Sequence, residues 1–98
     1  MLILTNAIIT AYCACTICCG PKATGKAANG KPPIQGISIA ASRNIPLGTH
    51  VKIGELTNDF IVCDRLAKRY DSRFDIYFNR HSDAKKFGVH RNVTVTIK

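Results

Sequence analysis

The sequence predicts a mostly β fold: a small closed barrel of about six short strands with one short helix. Three observations point there. β-branched and alternating apolar residues recur in short runs along the chain. Gly, Pro, Asn and Asp break those runs at short intervals. One stretch only carries the start and stop signals of a helix. A β-sandwich is the alternative that the same pattern allows.

The elements follow in order. "ILTNAIITAYC" is β-branched and reads as an extended first strand. Its apolar start lacks the basic region and small-residue end of a secretory leader. Residues 20–36 form a long loop with four Gly and three Pro, and its Asn29-Gly30 pair favours a left-handed turn. "ISIAAS" is a strand. "NIPLGT" is a turn in which Pro46 fixes φ and Gly48 permits a tight bend. "HVKIGEL" alternates Val51 and Ile53 with Lys52, the period of a half-buried strand. "NDFIVCD" and "FDIYF" are two more strands. "NRHSDAKKFG" reads as a short helix that Asn79 or Ser82 starts and Gly88 ends. "NVTVTIK" closes the chain as the last strand. No internal repeat or linker interrupts residues 1–98, which are read as one domain.

Composition narrows the function. Fourteen Lys and Arg against six Asp and Glu give a net charge of +8, which favours a polyanionic partner. Nucleic acid is one such partner, and bacterial wall polymers are another. The basic residues are scattered, and no stretch is long and apolar enough for a membrane span. Seven aromatic residues, mostly within strands, are too few for a nucleic-acid stacking platform, although Tyr12 or Tyr70 has the character to line a sugar groove. Five cysteines are many for this length. In a secreted domain they would form a disulfide framework with one left over. In a cytosolic one, the Cys15/Cys18 spacing would suggest zinc, completed by His50 or Cys63. Cys63 itself reads as a buried strand cysteine, and His81 and His90 read as surface histidines.

The acidic residues are distributed unevenly. Three of the six lie in "DRLAKRYDSRFDIYF" as Asp64, Asp71 and Asp75. Asp71 suits a solvated turn. Asp75 sits between Phe74 and Ile76 in an apolar run. A carboxyl half-buried there has its pKa raised by desolvation, and a second carboxylate nearby raises it further. Such a pair is the equipment of glycoside cleavage. The plainer reading is a strand-end aspartate that caps a turn or pairs with Arg65 or Arg73. No nucleophile elbow, P-loop or H-E-x-x-H motif competes.

Taken together, "TAYCACTICCG", "TGKAANGKPPIQG", "ISIAAS", "IPLGT", the Asp64 to "FDIYF" spacing and "DAKKFG" resemble the 3D domain, named for three aspartates. That family is a six-stranded double-psi β-barrel, similar to the catalytic barrel of membrane-bound lytic transglycosylase A. It is more distantly similar to rare lipoprotein A, expansins and barwin-like endoglucanases. The resemblance runs from about Thr10 to Ile97. It implies cleavage of the β-1,4 bond between N-acetylmuramic acid and N-acetylglucosamine with a 1,6-anhydro product. Asp75 matches the family's catalytic aspartate, and Asp64 matches the aspartate that opens its "DTGG" turn, here "DRLA". Ser42 stands where the family's first aspartate is usual. Thr10, Tyr12 and Ser42 would line the substrate groove. The resemblance implies no metal and no cofactor, structural cysteines, peptidoglycan strands as the partner, a monomer, and a place outside the cell or in its envelope, with a bacterial or phage origin. A non-catalytic glycan-binding module on the same barrel is the competing reading. A basic nucleic-acid-binding barrel is a third, which would show steep salt dependence.

Overall fold

The computed structural model describes residues 3–13, 28–66 and 73–97. Six strands form a closed barrel: β1 (Ile3–Tyr12), β2 (Ser38–Ala41), β3 (His50–Ile53), β4 (Phe60–Arg65), β5 (Arg73–Tyr77) and β6 (His90–Ile97). Among the described residues one short helix, α1 (His81–Phe87), lies between β5 and β6. The fold is therefore the mostly β, six-stranded barrel with one short helix that the sequence predicts.

Around the barrel the order is β1-β5-β2-β4-β3-β6. The β1/β5 and β2/β4 pairs are parallel, and the others are antiparallel. Exchanging β1, β2 and β3 for β4, β5 and β6 leaves every neighbour and every direction unchanged. The barrel is thus two interlocked three-strand halves, which is the double-psi arrangement. Closure leaves no edge among the described strands to pair with another chain.

The core follows from period-two alternation. Ala7 and Ile9, Ile39 and Ala41, Val51 and Ile53, Phe60 and Val62, and Phe74 and Ile76 are five pairs, each two residues apart on one strand. Val95 of β6 completes the buried set, with Val93 and Ile97 packed against it. Two irregularities in register, between Ala7 and Ile9 and between Ile39 and Ala40, keep the apolar set inward as the strands bend.

Several element ends differ from the sequence expectation. β3 stops at Ile53 because Gly54 takes φ 48° and Leu56 N–H turns back to the Ile53 carbonyl. β4 starts at Phe60 because Asn58 uses its side-chain amide on the Gly36 carbonyl, at 3.0 Å. β6 starts earlier, at His90, and passes through a left-handed Asn92. The residue before α1 is Arg80, which makes no side-chain cap, so neither Asn79 nor Ser82 performs that role. Asn79 instead donates its backbone N–H to Gln35 Oε1 at 2.7 Å. Gly88 does end the helix, with φ 69°.

No disulfide is found among the described residues, and the framework expected of the cysteines falls mostly on Cys15, Cys18 and Cys19, outside them. Cys63 is a buried free thiol. Cys13 is buried at the end of β1 beside His81. Cys15, Cys18 and Cys19 lie outside the described residues, as do Tyr70, Asp71 and most of the Gly- and Pro-rich loop. No described helix is long and apolar enough to cross a membrane.

Candidate functional site

Phe74 and Ile76 point into the core, so alternation sends Asp75 to the outer wall of the barrel. There the register builds a row across four adjacent strands. Thr10 of β1 pairs with Asp75, Asp75 pairs with Ala40 of β2, and Ala40 pairs with Asp64 of β4. The two carboxylate-bearing positions are therefore two strand spacings apart, about 10 Å between Cα atoms. Only the Ala40 methyl stands between them in the row.

Tyr12 lies on the same wall, and Ser42 just past the end of β2. Tyr12 is two residues beyond Thr10 and pairs with Tyr77. Their rings meet edge to face, with centroids 5.5 Å apart. Ser42 is two residues beyond Ala40. It is buried, its Oγ accepts the Asn44 N–H at 3.3 Å and its carbonyl accepts the Ile45 N–H at 3.1 Å. Ser42 thus shapes the turn that leads into "IPLGT". Asp75, Asp64, Thr10 and Tyr12 are brought to one outer face spanning β1, β5, β2 and β4, and Ser42 lies in the turn just past the end of β2.

Asp75 is a carboxyl whose burial favours the protonated form. Its side chain keeps 20% of its surface. Oδ1 is buried and, among the described residues, makes no hydrogen bond. Burial pushes its carboxyl above the usual carboxylate range, and the Arg73 guanidinium pulls it part of the way back. The upward push comes from desolvation, where the sequence reading looked also to the charge of Asp64.

Arg73 is the residue whose importance to this site the sequence understated. It sits two residues before Asp75, on the same wall. Its Nε lies 3.7 Å from Asp75 Oδ1 and donates to Thr10 Oγ1 at 3.1 Å. Thr10, which is buried, therefore fixes the cation beside the acid. The spacing of alternate residues on one strand was the available signal.

Asp64 does different work. Its Oδ1 accepts the Ala28 N–H at 3.0 Å and the Arg65 N–H at 2.9 Å. The neighbouring Asn29 N–H bonds the Cys63 carbonyl at 3.1 Å. Asp64 thus ties the segment before β2 to the end of β4. Arg65 turns away from both aspartates, with Nη1 donating to the Arg43 carbonyl at 3.1 Å.

The histidines are partly reassigned. His50 pairs with Asp59 at 3.0 Å on the surface, and the Cys15/Cys18 pair that His50 or Cys63 was to complete lies outside the described residues. His90 stacks on Phe87, with ring centroids 4.5 Å apart. His81, expected at the surface, faces Cys13 instead. Among the described residues no three His, Cys, Asp or Glu side chains gather as metal ligands.

The chain matches no family model, no curated protein and no solved structure.

Proposed function

We propose that this chain is a peptidoglycan-active barrel of the 3D type, a lytic transglycosylase in which Asp75 is the general acid and then the general base. The single observation that carries the reading is the state of Asp75. It is a desolvated carboxyl with an unbonded buried oxygen, raised in pKa, on an outer wall that also holds Thr10 and Tyr12. A carboxyl raised in this way keeps its proton to higher pH than a free one, which suits it to protonate a leaving glycosidic oxygen.

The reaction runs in two proton transfers. Asp75 protonates the oxygen between N-acetylmuramic acid and N-acetylglucosamine as the bond to the anomeric carbon breaks. The carboxylate so formed is stabilised by Arg73 at 3.7 Å. It then takes the proton from the muramoyl C6 hydroxyl, whose oxygen closes on the anomeric carbon. The product is a 1,6-anhydro ring, Asp75 is protonated again, and no water is consumed. Asp64 has a positioning role, through the Ala28 and Arg65 hydrogen bonds. The net charge of +8 holds the protein on an anionic wall, outside the cell or in its envelope.

Two observations favour a second reading, a glycan-binding module without turnover. The second carboxylate is engaged by backbone N–H groups, and Ser42 replaces the family's usual first aspartate by a turn-forming hydroxyl. Clearance of a purified peptidoglycan suspension, run beside a pelleting assay, separates the readings. The transglycosylase clears the suspension, and Asp75→Asn pellets with the glycan but does not clear it. Pelleting without clearance by the unaltered protein would favour the module, and neither effect would defeat both.

A further inference from the structure

We infer that a hollow beside α1 is a binding site for a short peptide with an apolar side chain, held by the amides of Gln35 and Asn58. The hollow has a volume of about 300 Å³, at the small end of the range that ligand sites occupy. Buried Phe60 and Ile76 and half-buried Phe78 and Phe87 line it, the last two with ring centroids 5.6 Å apart. Leu56, which is exposed, lines it too.

Each of the two amides in this apolar lining has one end already committed. Gln35 Oε1 accepts the Asn79 N–H at 2.7 Å. Asn58 Nδ2 donates to the Gly36 carbonyl at 3.0 Å. A backbone N–H only donates and a carbonyl only accepts, so these bonds fix which end of each amide is which. The ends left over are the Gln35 NH2, a donor, and Asn58 Oδ1, an acceptor. Neither makes a further hydrogen bond among the described residues. A peptide supplies the complement of both, a carbonyl for Gln35 and an N–H for Asn58, and an apolar side chain for the aromatic lining. A sugar ring fits less well, because its hydroxyls would face Phe60, Ile76, Phe78 and Phe87 without partners.

A second hollow of about 390 Å³ shares Gln35, Phe78 and Phe87 with the first and adds Asp83 and Lys86 of α1. Neither of these charges forms an ion pair among the described residues. One charge of each sign matches the ammonium and carboxylate of a free peptide. Asp75, Asp64 and Thr10 line neither hollow, so the site is separate from the proton-transfer row and does not rest on the transglycosylase reading.

The test is a titration of the full, nitrogen-labelled chain with leucyl-leucine, followed by NMR. Saturable shifts are expected at the Gln35 and Asn58 side-chain amides and at Leu56 and Phe87. Capping both ends of the dipeptide should weaken binding, because Asp83 and Lys86 lose their partners. With that capped peptide, Gln35→Glu should weaken binding by roughly tenfold. It keeps the oxygen that Asn79 requires and turns the donor into an acceptor. Leu56→Ala, at an exposed position, should weaken binding by roughly 3- to 10-fold through lost apolar contact. The disaccharide N,N′-diacetylchitobiose should neither shift these resonances nor compete. A folded chain without saturable shifts would overturn the site, as would a folded Gln35→Glu protein that binds the capped peptide unchanged. Displacement of leucyl-leucine by the disaccharide would overturn the choice of a peptide. Glycan turnover is not read in this titration, so its failure leaves the assignment of Asp75 standing.

Discussion

The two aspartates should separate cleanly under mutation. Asp64→Ala removes one carboxylate oxygen that accepts two backbone N–H groups, from Ala28 and Arg65. Each such bond contributes about 0.5–1.5 kcal/mol net, so the loss is about 1–3 kcal/mol. For a chain of this size each 1 kcal/mol moves the melting temperature by about 4–8 °C, so the midpoint should fall by roughly 5–20 °C. Asp64→Asn keeps an acceptor oxygen in place. It should recover most of that stability and retain activity within about tenfold, the scale of a positioning contact worth about 1.4 kcal/mol. Thermal unfolding followed by circular dichroism, and initial rates on purified glycan, measure both quantities on the same samples. A stable Asp64→Asn protein as inactive as Asp75→Asn would refute the division of labour. An unchanged midpoint for Asp64→Ala would refute the anchoring role.

Two further predictions concern Asp75. Its folded carboxyl holds a proton more tightly than the unfolded chain does. That preference therefore stabilises the fold fully below the usual value of 3.8 and is lost as pH rises through the raised folded value. Asp75→Asn should remove this loss, so its stability relative to the unaltered chain should rise over that window and then level off; denaturant titrations across pH would expose a parallel, unchanging difference if Asp75 were unperturbed. Arg73 holds the Asp75 carboxyl down against burial. Arg73→Gln should therefore move the limb on which activity falls with Asp75 deprotonation to higher pH. Carboxyl-carbon NMR of Asp75 checks the same shift without turnover, and a limb that stays put or moves to lower pH would contradict the pairing at 3.7 Å.

Much of this was legible because the physics is local. Residues two apart, such as Val51 and Ile53 or Phe74 and Ile76, announced which face of each strand is buried. The same parity placed Asp75 on the outside, next to Arg73. Gly30 and Gly48 adopt the positive φ that their turns demanded. What the sequence could not disclose is set by pairings between distant segments. Nothing local says that β2 inserts between β5 and β4, yet that insertion puts Ala40 between the aspartates and sets them about 10 Å apart. The engagement of Asp64 depends on Ala28, 36 residues earlier. His81 looked like a surface histidine because only the closed barrel brings Cys13 to it. The helix start was misjudged for a different reason: Asn79's backbone was claimed by Gln35, and no capping side chain was needed.

The central claim is that Asp75 breaks a glycan bond by delivering a proton and taking one back. The most direct measurement is the mass of the fragment ends released from purified peptidoglycan strands by the unaltered chain and by Asp75→Asn. The account predicts 1,6-anhydro-muramoyl ends from the first and none from the second, with both proteins folded. Hydrated reducing ends, or anhydro ends that persist in Asp75→Asn, would contradict it.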